Sequence, residues 1–274
     1  APSWRRRPNA LPWFDQPDAL ATAAMAPPAE RPLLEKWVRD GYVVVDDCVD
    51  AADLDAMVAT LDGLWDAPAP IPHLELLDLR DDDAGPPRPV AHRDLLHLEP
   101  ARRHRMRERS NWRIHGFHYV NAPAKRLYTN RRLRALASQI LGRRARPIAA
   151  INFMKGSEQA LHQDMAVFHI FPHNFLLGAW IECEDVTAAS GPLVFYPGSH
   201  RAPFFPGFAD YPQTNRRTAD PDTFGRYQRW VDDLAPRYPR TEFCARKGQV
   251  LFWHGMLIHG GALERYPSLR IAFG

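Results

Sequence analysis

From Pro147 to the end, the sequence breaks into short apolar runs punctuated by Gly, Pro and Asn, and this pattern limits the fold more than any other feature of the chain. The runs are Ile148 to Met154, Ala166 to Phe171, Leu176 to Cys183, Leu193 to Tyr196, Gln249 to Trp253 and Leu269 to Phe273. They have strand length and turn residues at their edges, so they predict an all-β barrel or a double-sheet jelly roll. No internal repeat is visible.

Upstream the periodicity is helical. Leu33, Leu34, Trp37 and Val38 make one stripe, stopped by Gly41, and Tyr42 to Val45 then reads as a buried strand. Asp50 or Asp53 is expected to cap a second helix with Leu54, Met57, Val58, Leu61 and Leu64 inward. Thr129 or Asn130 caps a third, whose stripe Leu133, Leu136, Ala137, Ile140 and Leu141 reads as core and which ends at Gly142. Residues 1–30, rich in Pro, Ala and Arg, read as an extension that packs loosely or caps a face and carries little chemistry. Pro68 to Pro89 reads as a loop, with Asp81, Asp82 and Asp83 an exposed turn rather than a metal site, and Phe117 to Val120 as a strand. An aromatic, Pro- and Arg-rich insertion at about 201–246 reads as a lid or binding segment rather than filler. The domain expectation is therefore a single domain over 31–274, with its core at 147–274.

With 45% hydrophobic residues in 274, the chain can bury one substantial core. The balance of 35 Lys+Arg against 32 Asp+Glu is too mild for a nucleic-acid binder and disfavours a nucleic-acid demethylase. Positive charge concentrates in Ala101 to Arg113 and Lys125 to Arg146, which reads either as a solvated surface or as a contact for an acidic or phosphorylated substrate. Three cysteines, Cys48, Cys183 and Cys244, are far apart with no C-x-x-C pair; this suits a reducing, cytoplasmic setting and excludes a zinc ribbon. No apolar run is long enough for a membrane span. The sequence sets no oligomeric state.

Among 12 histidines, two stand in a pattern. In extended backbone His162 and Asp164 share a face, because strand side chains alternate. His259, at the end of a second apolar run and followed by Gly260-Gly261, completes a 2-His-1-carboxylate set. Such a set suits non-haem Fe(II) and leaves coordination positions open. Arg270 follows His259 by eleven residues in the last extended run, where its planar fork suits the carboxylate of a 2-oxo-acid. His254 is expected on the opposite face from His259 if the strand runs on through Gly255, and His200 as a structural residue in a tight turn.

In these stretches, and in Gly178 to Val186, Ser190 to Leu193, Tyr196 to Arg201 and Lys247 to His254, the chain resembles the phytanoyl-CoA dioxygenase family of Fe(II)/2-oxoglutarate oxygenases, from about residue 33 onward. The resemblance implies a mainly β chain, a double-stranded β-helix (cupin-like jelly roll) with N-terminal helices packed outside the barrel. It implies Fe(II) on His162, Asp164 and His259, with 2-oxoglutarate and O2 as cosubstrates and the distal carboxylate on Arg270. Trp180, eighteen residues after His162, falls where the family has a tryptophan lining the cosubstrate site; plain core is the other reading. Asn152 is an option for the 1-carboxylate. Gly261 stands where some relatives have a serine, so Ser268, on the same strand face as Arg270, is the expected substitute. The implied reaction is hydroxylation of a small organic substrate coupled to oxidative decarboxylation of 2-oxoglutarate to succinate and CO2. Related halogenases lack the carboxylate, so Asp164 favours hydroxylation. Desaturation or demethylation at the same iron, and a non-catalytic metal-binding module or pseudoenzyme, are the alternatives.

Overall fold

A computed structural model describes residues 11–81, 85–154, 159–168, 170, 172, 174–208, 220–262 and 272–273. The N-terminal half is helical: α1 (Ala19–Ala24), α2 (Arg31–Asp40), α3 (Ala51–Gly63), α4 (His92–Leu96), α5 (Pro100–Arg109), α6 (Ala122–Tyr128) and α7 (Arg131–Leu141), with strands β1 (Tyr42–Val45), β2 (Glu75–Leu79), β3 (Arg88–Ala91) and β4 (Arg113–His115) between them. The C-terminal half holds β5 (Ile151–Phe153), β6 (Leu177–Ile181), β7 (Leu193–Phe195), α8 (Pro221–Leu234), β8 (Thr241–Phe243), β9 (Val250–His254), β10 (His259–Gly261) and β11 (Ala272–Phe273).

The strands form three antiparallel sheets, in the orders β1-β9-β6, β10-β7-β8 and β11-β5-β4-β2-β3. Among the described residues no closed barrel forms, and helices hold more residues than strands, so the expectation of a mainly β chain is corrected. The excess comes from helices not expected from the sequence, α1, α4, α5, α6 and α8.

Other expectations shift for local reasons. Asp50 caps α3, accepting the Ala52 N–H, and Asn130 caps α7 by accepting the Arg132 and Leu133 N–H groups. Leu54, Met57 and Leu61 are fully buried, each contributing about 1.5–3 kcal/mol. Strand β1 sits at a sheet edge and leaves Val44 exposed, so it is half-buried rather than buried. The segment 68–89 contains β2 and the start of β3, and the strand near residue 117 is Arg113–His115, while Phe117–Tyr119 is a 3-10 turn. Asp81 is not a free turn residue; it pairs with Arg102. Asp82 and Asp83 lie outside the described residues. The run at Ala166 is not a strand, since Asp164–Ala166 is a 3-10 turn.

Residues 11–30 pack into the body of the fold. Phe14 is buried, edge-on to Trp37 at 5.7 Å, and the Trp13 indole donates to the Ile140 carbonyl at 2.8 Å. The insertion contains a 14-residue helix, α8, where a loop-rich segment was expected. Phe224, Tyr227, Val231 and Leu234 recur at helical spacing and pack in one apolar cluster with Phe205 and Ile258.

Candidate metal centre

His162 and His259 meet as antiparallel partners. The His162 N–H donates to the His259 carbonyl at 2.8 Å and the His259 N–H to the His162 carbonyl at 3.0 Å. This approach needs Gly260, where a Cβ would stand 2.7 Å from the Gln159 carbonyl oxygen. Gln163 is extended and Asp164 opens the 3-10 turn that swings its carboxylate back toward both rings. His162 Nε2 and His259 Nε2 each lie 3.7 Å from Asp164 Oδ1.

Each imidazole is oriented by its other nitrogen: Nδ1 of His162 donates to the Ala160 carbonyl at 2.8 Å, and Nδ1 of His259 to the Leu257 carbonyl at 2.9 Å. A carbonyl oxygen only accepts, so the proton sits on Nδ1 and Nε2 keeps a lone pair toward the carboxylate. Burial, then the neighbouring His162, pushes the His259 pKa down to about 4, which keeps it neutral at pH 7 as a ligand must be. Burial raises the Asp164 carboxyl, but the two imidazoles and the Trp253 indole outweigh it and hold it below the usual carboxylate range.

The three donor atoms lie within 4.8 Å of one another, and no other such cluster occurs among the described residues. Two donors about 2.1 Å from one ion stand at most about 4.2 Å apart, so the 3.7 Å spacings suit a single ion. Two neutral imidazoles and one carboxylate, one face open to a cavity, fit Fe(II).

Several supporting residues were not singled out by the sequence. The Trp253 indole donates to Asp164 Oδ2 at 2.9 Å, and it has room because its neighbour on β6 is Gly178, where a Cβ would stand 2.1 Å from the ring. The Gln163 N–H donates to the Tyr227 hydroxyl of α8 at 2.8 Å, and Gln228 Nε2 to the Leu161 carbonyl at 3.0 Å. The signal was available in principle, because a buried carboxylate requires donors and a Trp on the adjacent strand can supply one.

A cavity of about 810 Å³ runs from the triad between β6, β9 and α7. Phe168, Ile170, Phe175 and Leu176 line it on one side, and Leu133, Ala137 and Leu141 of α7 on the other, so part of a stripe read as core is cavity wall. Phe224 and Gln228 border it near His162. The exposed Arg134 and Arg146 line its outer end, and neither makes an ion pair among the described residues. In the other arginine cluster three members are paired within the fold, Arg102 with Asp81, Arg103 with Asp66 and Arg107 with Asp62.

Trp180 lines the cavity, stacked on Phe153 at 5.1 Å with its indole donating to Glu182 at 2.9 Å. Asn152 does not line it: its side chain points to the helical layer and donates to Met57 Sδ at 3.3 Å, because alternation gives the cavity face to Ile151 and Phe153. Arg270 and Ser268, like His169 and His173, lie outside the described residues. His200 is buried against Gly41, and His254 turns away from the triad toward Phe14 and Trp37.

The model of the family described as Phytanoyl-CoA dioxygenase (PhyH) matches residues 37–271, and the chain belongs to this family. The rat peroxisomal phytanoyl-CoA dioxygenase (Rattus norvegicus) is 32% identical over 118 residues, which cover 43% of this chain and 32% of that protein, so the match spans about a third of the relative's length. Ectoine dioxygenase of Halomonas elongata is 25% identical over 281 residues, covering 98% of this chain and 76% of the relative. Among solved structures, EctD from S. alaskensis with 2-oxoglutarate and 5-hydroxyectoine superposes with a TM-score of 0.58 at 19% identity, covering 97% of this chain and 80% of that one. No helix among the described residues is long and apolar enough to cross a membrane.

Proposed function

We propose that this protein is an Fe(II)/2-oxoglutarate dioxygenase that hydroxylates a small organic molecule, converting 2-oxoglutarate and O2 to succinate and CO2. The observation that carries the reading is the triad at one end of an apolar cavity, with both Nδ1 atoms committed to carbonyls and both Nε2 atoms facing one carboxylate oxygen. The bound 2-oxoglutarate of the superposed ectoine enzyme supports it. The two three-stranded sheets, with His162 bridged to the edge of one of them at His259, are read as parts of a double-stranded β-helix with the N-terminal helices outside. Residues 31–274 form one catalytic domain, with α8 in the role of a lid segment.

Fe(II), when bound, supplies the redox chemistry that activates dioxygen. The chain's own residues do the rest. His162, Asp164 and His259 would hold the ion, and Trp253 fixes the carboxylate so that a single oxygen turns inward. Arg270 receives the distal carboxylate of 2-oxoglutarate, with Ser268 beside it, and Trp180 forms a wall of that pocket. Asn152 would have to turn away from Met57 to join them. Phe168, Ile170 and Phe175 exclude water and hold an apolar substrate body, while Arg134 and Arg146 meet an acidic or phosphorylated group at the outer end. The free cysteines fit a reducing compartment such as the cytoplasm.

The test is an anaerobic Fe(II) titration with and without 2-oxoglutarate, read at the visible charge-transfer band of a chelated 2-oxo acid. Wild type should show the band, His162→Ala should lose it, and Arg270→Ala should need far more 2-oxoglutarate. Iron binding without a band would remove the cosubstrate half of the reading and leave a metal-binding module.

A further inference from the structure

The turn from His254 to Leu257 connects to both halves of the triad through three successive carbonyls. Gly255 O accepts the Met165 N–H at 2.9 Å, Met256 O accepts Gln163 Nε2 at 2.9 Å, and Leu257 O accepts Nδ1–H of His259 at 2.9 Å. The conformation of these residues therefore sets where Asp164, between Gln163 and Met165, and the His259 ring stand. The turn is itself held by the fully buried His254, whose Nδ1 accepts the Met256 N–H at 3.0 Å. With Nδ1 an acceptor, the ring proton is on Nε2, which lies 3.3 Å from Asp15 Oδ1 in an electrostatic contact rather than an aligned hydrogen bond. The other oxygen of Asp15 accepts from Asn174 Nδ2 at 2.8 Å, on the segment that carries Phe175 and Leu176 of the cavity wall. Phe14 and His200 close over the His254 ring at 5.3 Å each. Burial raises the Asp15 carboxyl, but His254 and Asn174 more than offset it and keep it ionised.

We propose that Asp15 and His254 are a positioning pair for the metal site: the N-terminal segment holds the His254–Leu257 turn in the conformation that brings Asp164 and His259 together, and through Asn174 it fixes the cavity wall at the same time. The proposal rests on reading the triad as an iron site. It gives residues 11–30 a part in the chemistry that their composition does not announce. Neither residue touches the ion; both act through the turn.

The experiment uses the full chain and metal alone: anaerobic Fe(II) titration, and the visible ligand-field spectrum of Co(II) as a spectroscopic stand-in. Asp15→Ala should weaken Fe(II) binding by up to about tenfold, the low end for a partner bonded directly to a ligand, and change the Co(II) spectrum, since it acts one step further out through the turn. His254→Asn retains an acceptor for the Met256 N–H but loses the arm toward Asp15, so the double variant should bind no more weakly than the weaker single one. Asp15→Asn keeps one oxygen for His254 and should recover part of the loss; it also carries the test if Asp15→Ala does not fold. Trp13→Phe, which removes the bond to Ile140 in the same segment, should lower Tm yet leave Fe(II) affinity within about twofold of wild type. Wild-type affinity and an unchanged Co(II) spectrum in both Asp15 variants, additive losses, or an equal loss in Trp13→Phe would overturn the pair. Failure of wild type to take up Fe(II) overturns the iron reading itself and the pair with it, a result distinct from wild-type affinity in the variants.

Discussion

Asp164 divides its two oxygens between two tasks. Oδ1 faces the imidazole nitrogens, and Oδ2 is occupied by the Trp253 indole at 2.9 Å. Trp253→Phe keeps an aromatic side chain, though a smaller one, and removes the donor, so Fe(II) affinity should fall by about 10–100-fold with the far-UV CD spectrum unchanged; equal affinity would show that the indole does not orient the carboxylate. The Tyr227 hydroxyl plays a comparable part for the backbone, receiving the Gln163 N–H in a buried setting. Tyr227→Phe leaves that N–H without its partner and should cost about 1–3 kcal/mol in urea unfolding. A loss below a few tenths would mean that the N–H finds another acceptor.

At the level of elements, β6 and β9 succeed because a glycine faces a tryptophan. Gly178→Ala drives a methyl into the Trp253 ring, an overpacking that should cost about 1–3 kcal/mol. Since the displaced indole is the one that holds Asp164, Tm and Fe(II) affinity should fall together; a Tm loss with intact affinity would separate the strand contact from the site. Strands with uniform apolar character, such as Val250 to Trp253, and helices with full stripes, such as Arg31–Asp40 and Arg131–Leu141, were legible in the sequence. Helix α5 was not, because its surface is arginine on several sides and its fully buried anchor is the single residue Met106, with arginines paired to distant aspartates. Helix α8 was hidden by reading Phe224, Tyr227 and Trp230 as loop aromatics when their spacing is three. The candidate ligand set was legible through the local spacing of His162 and Asp164 and the pattern around His259. Trp253, Tyr227 and Asp15 were not, since each reaches the site from an element that no short motif links to it.

For the molecule as a whole, buried histidines tie stability to pH. Burial first, with neighbouring histidines adding to it, depresses His259 to about 4 and His200 to about 3, against roughly 6.5 in an unfolded chain. Between those values the unfolded chain binds protons that the fold refuses, so stability rises with pH across the window. It is fully present above about pH 6.5 and is lost as pH falls toward 4, and for His200 on toward 3. Urea unfolding of chelator-treated protein at pH 7.5, 6 and 5 should show this decline, and His200→Gln should flatten part of it. A level profile would count against burial as the cause.

The bond between Asn174 and Asp15 spans 159 residues, and the one between Trp253 and Asp164 spans 89. Contacts of that range close late, after the loop entropy has been overcome. Phe14 can meet Trp37 early, but Asp15 meets its partners Asn174 and His254 only after those distant segments have been made. A metal site that needs His259 beside His162 and Asp164 is complete only when these two distant segments have met, so metal capture belongs late in the assembly of the fold.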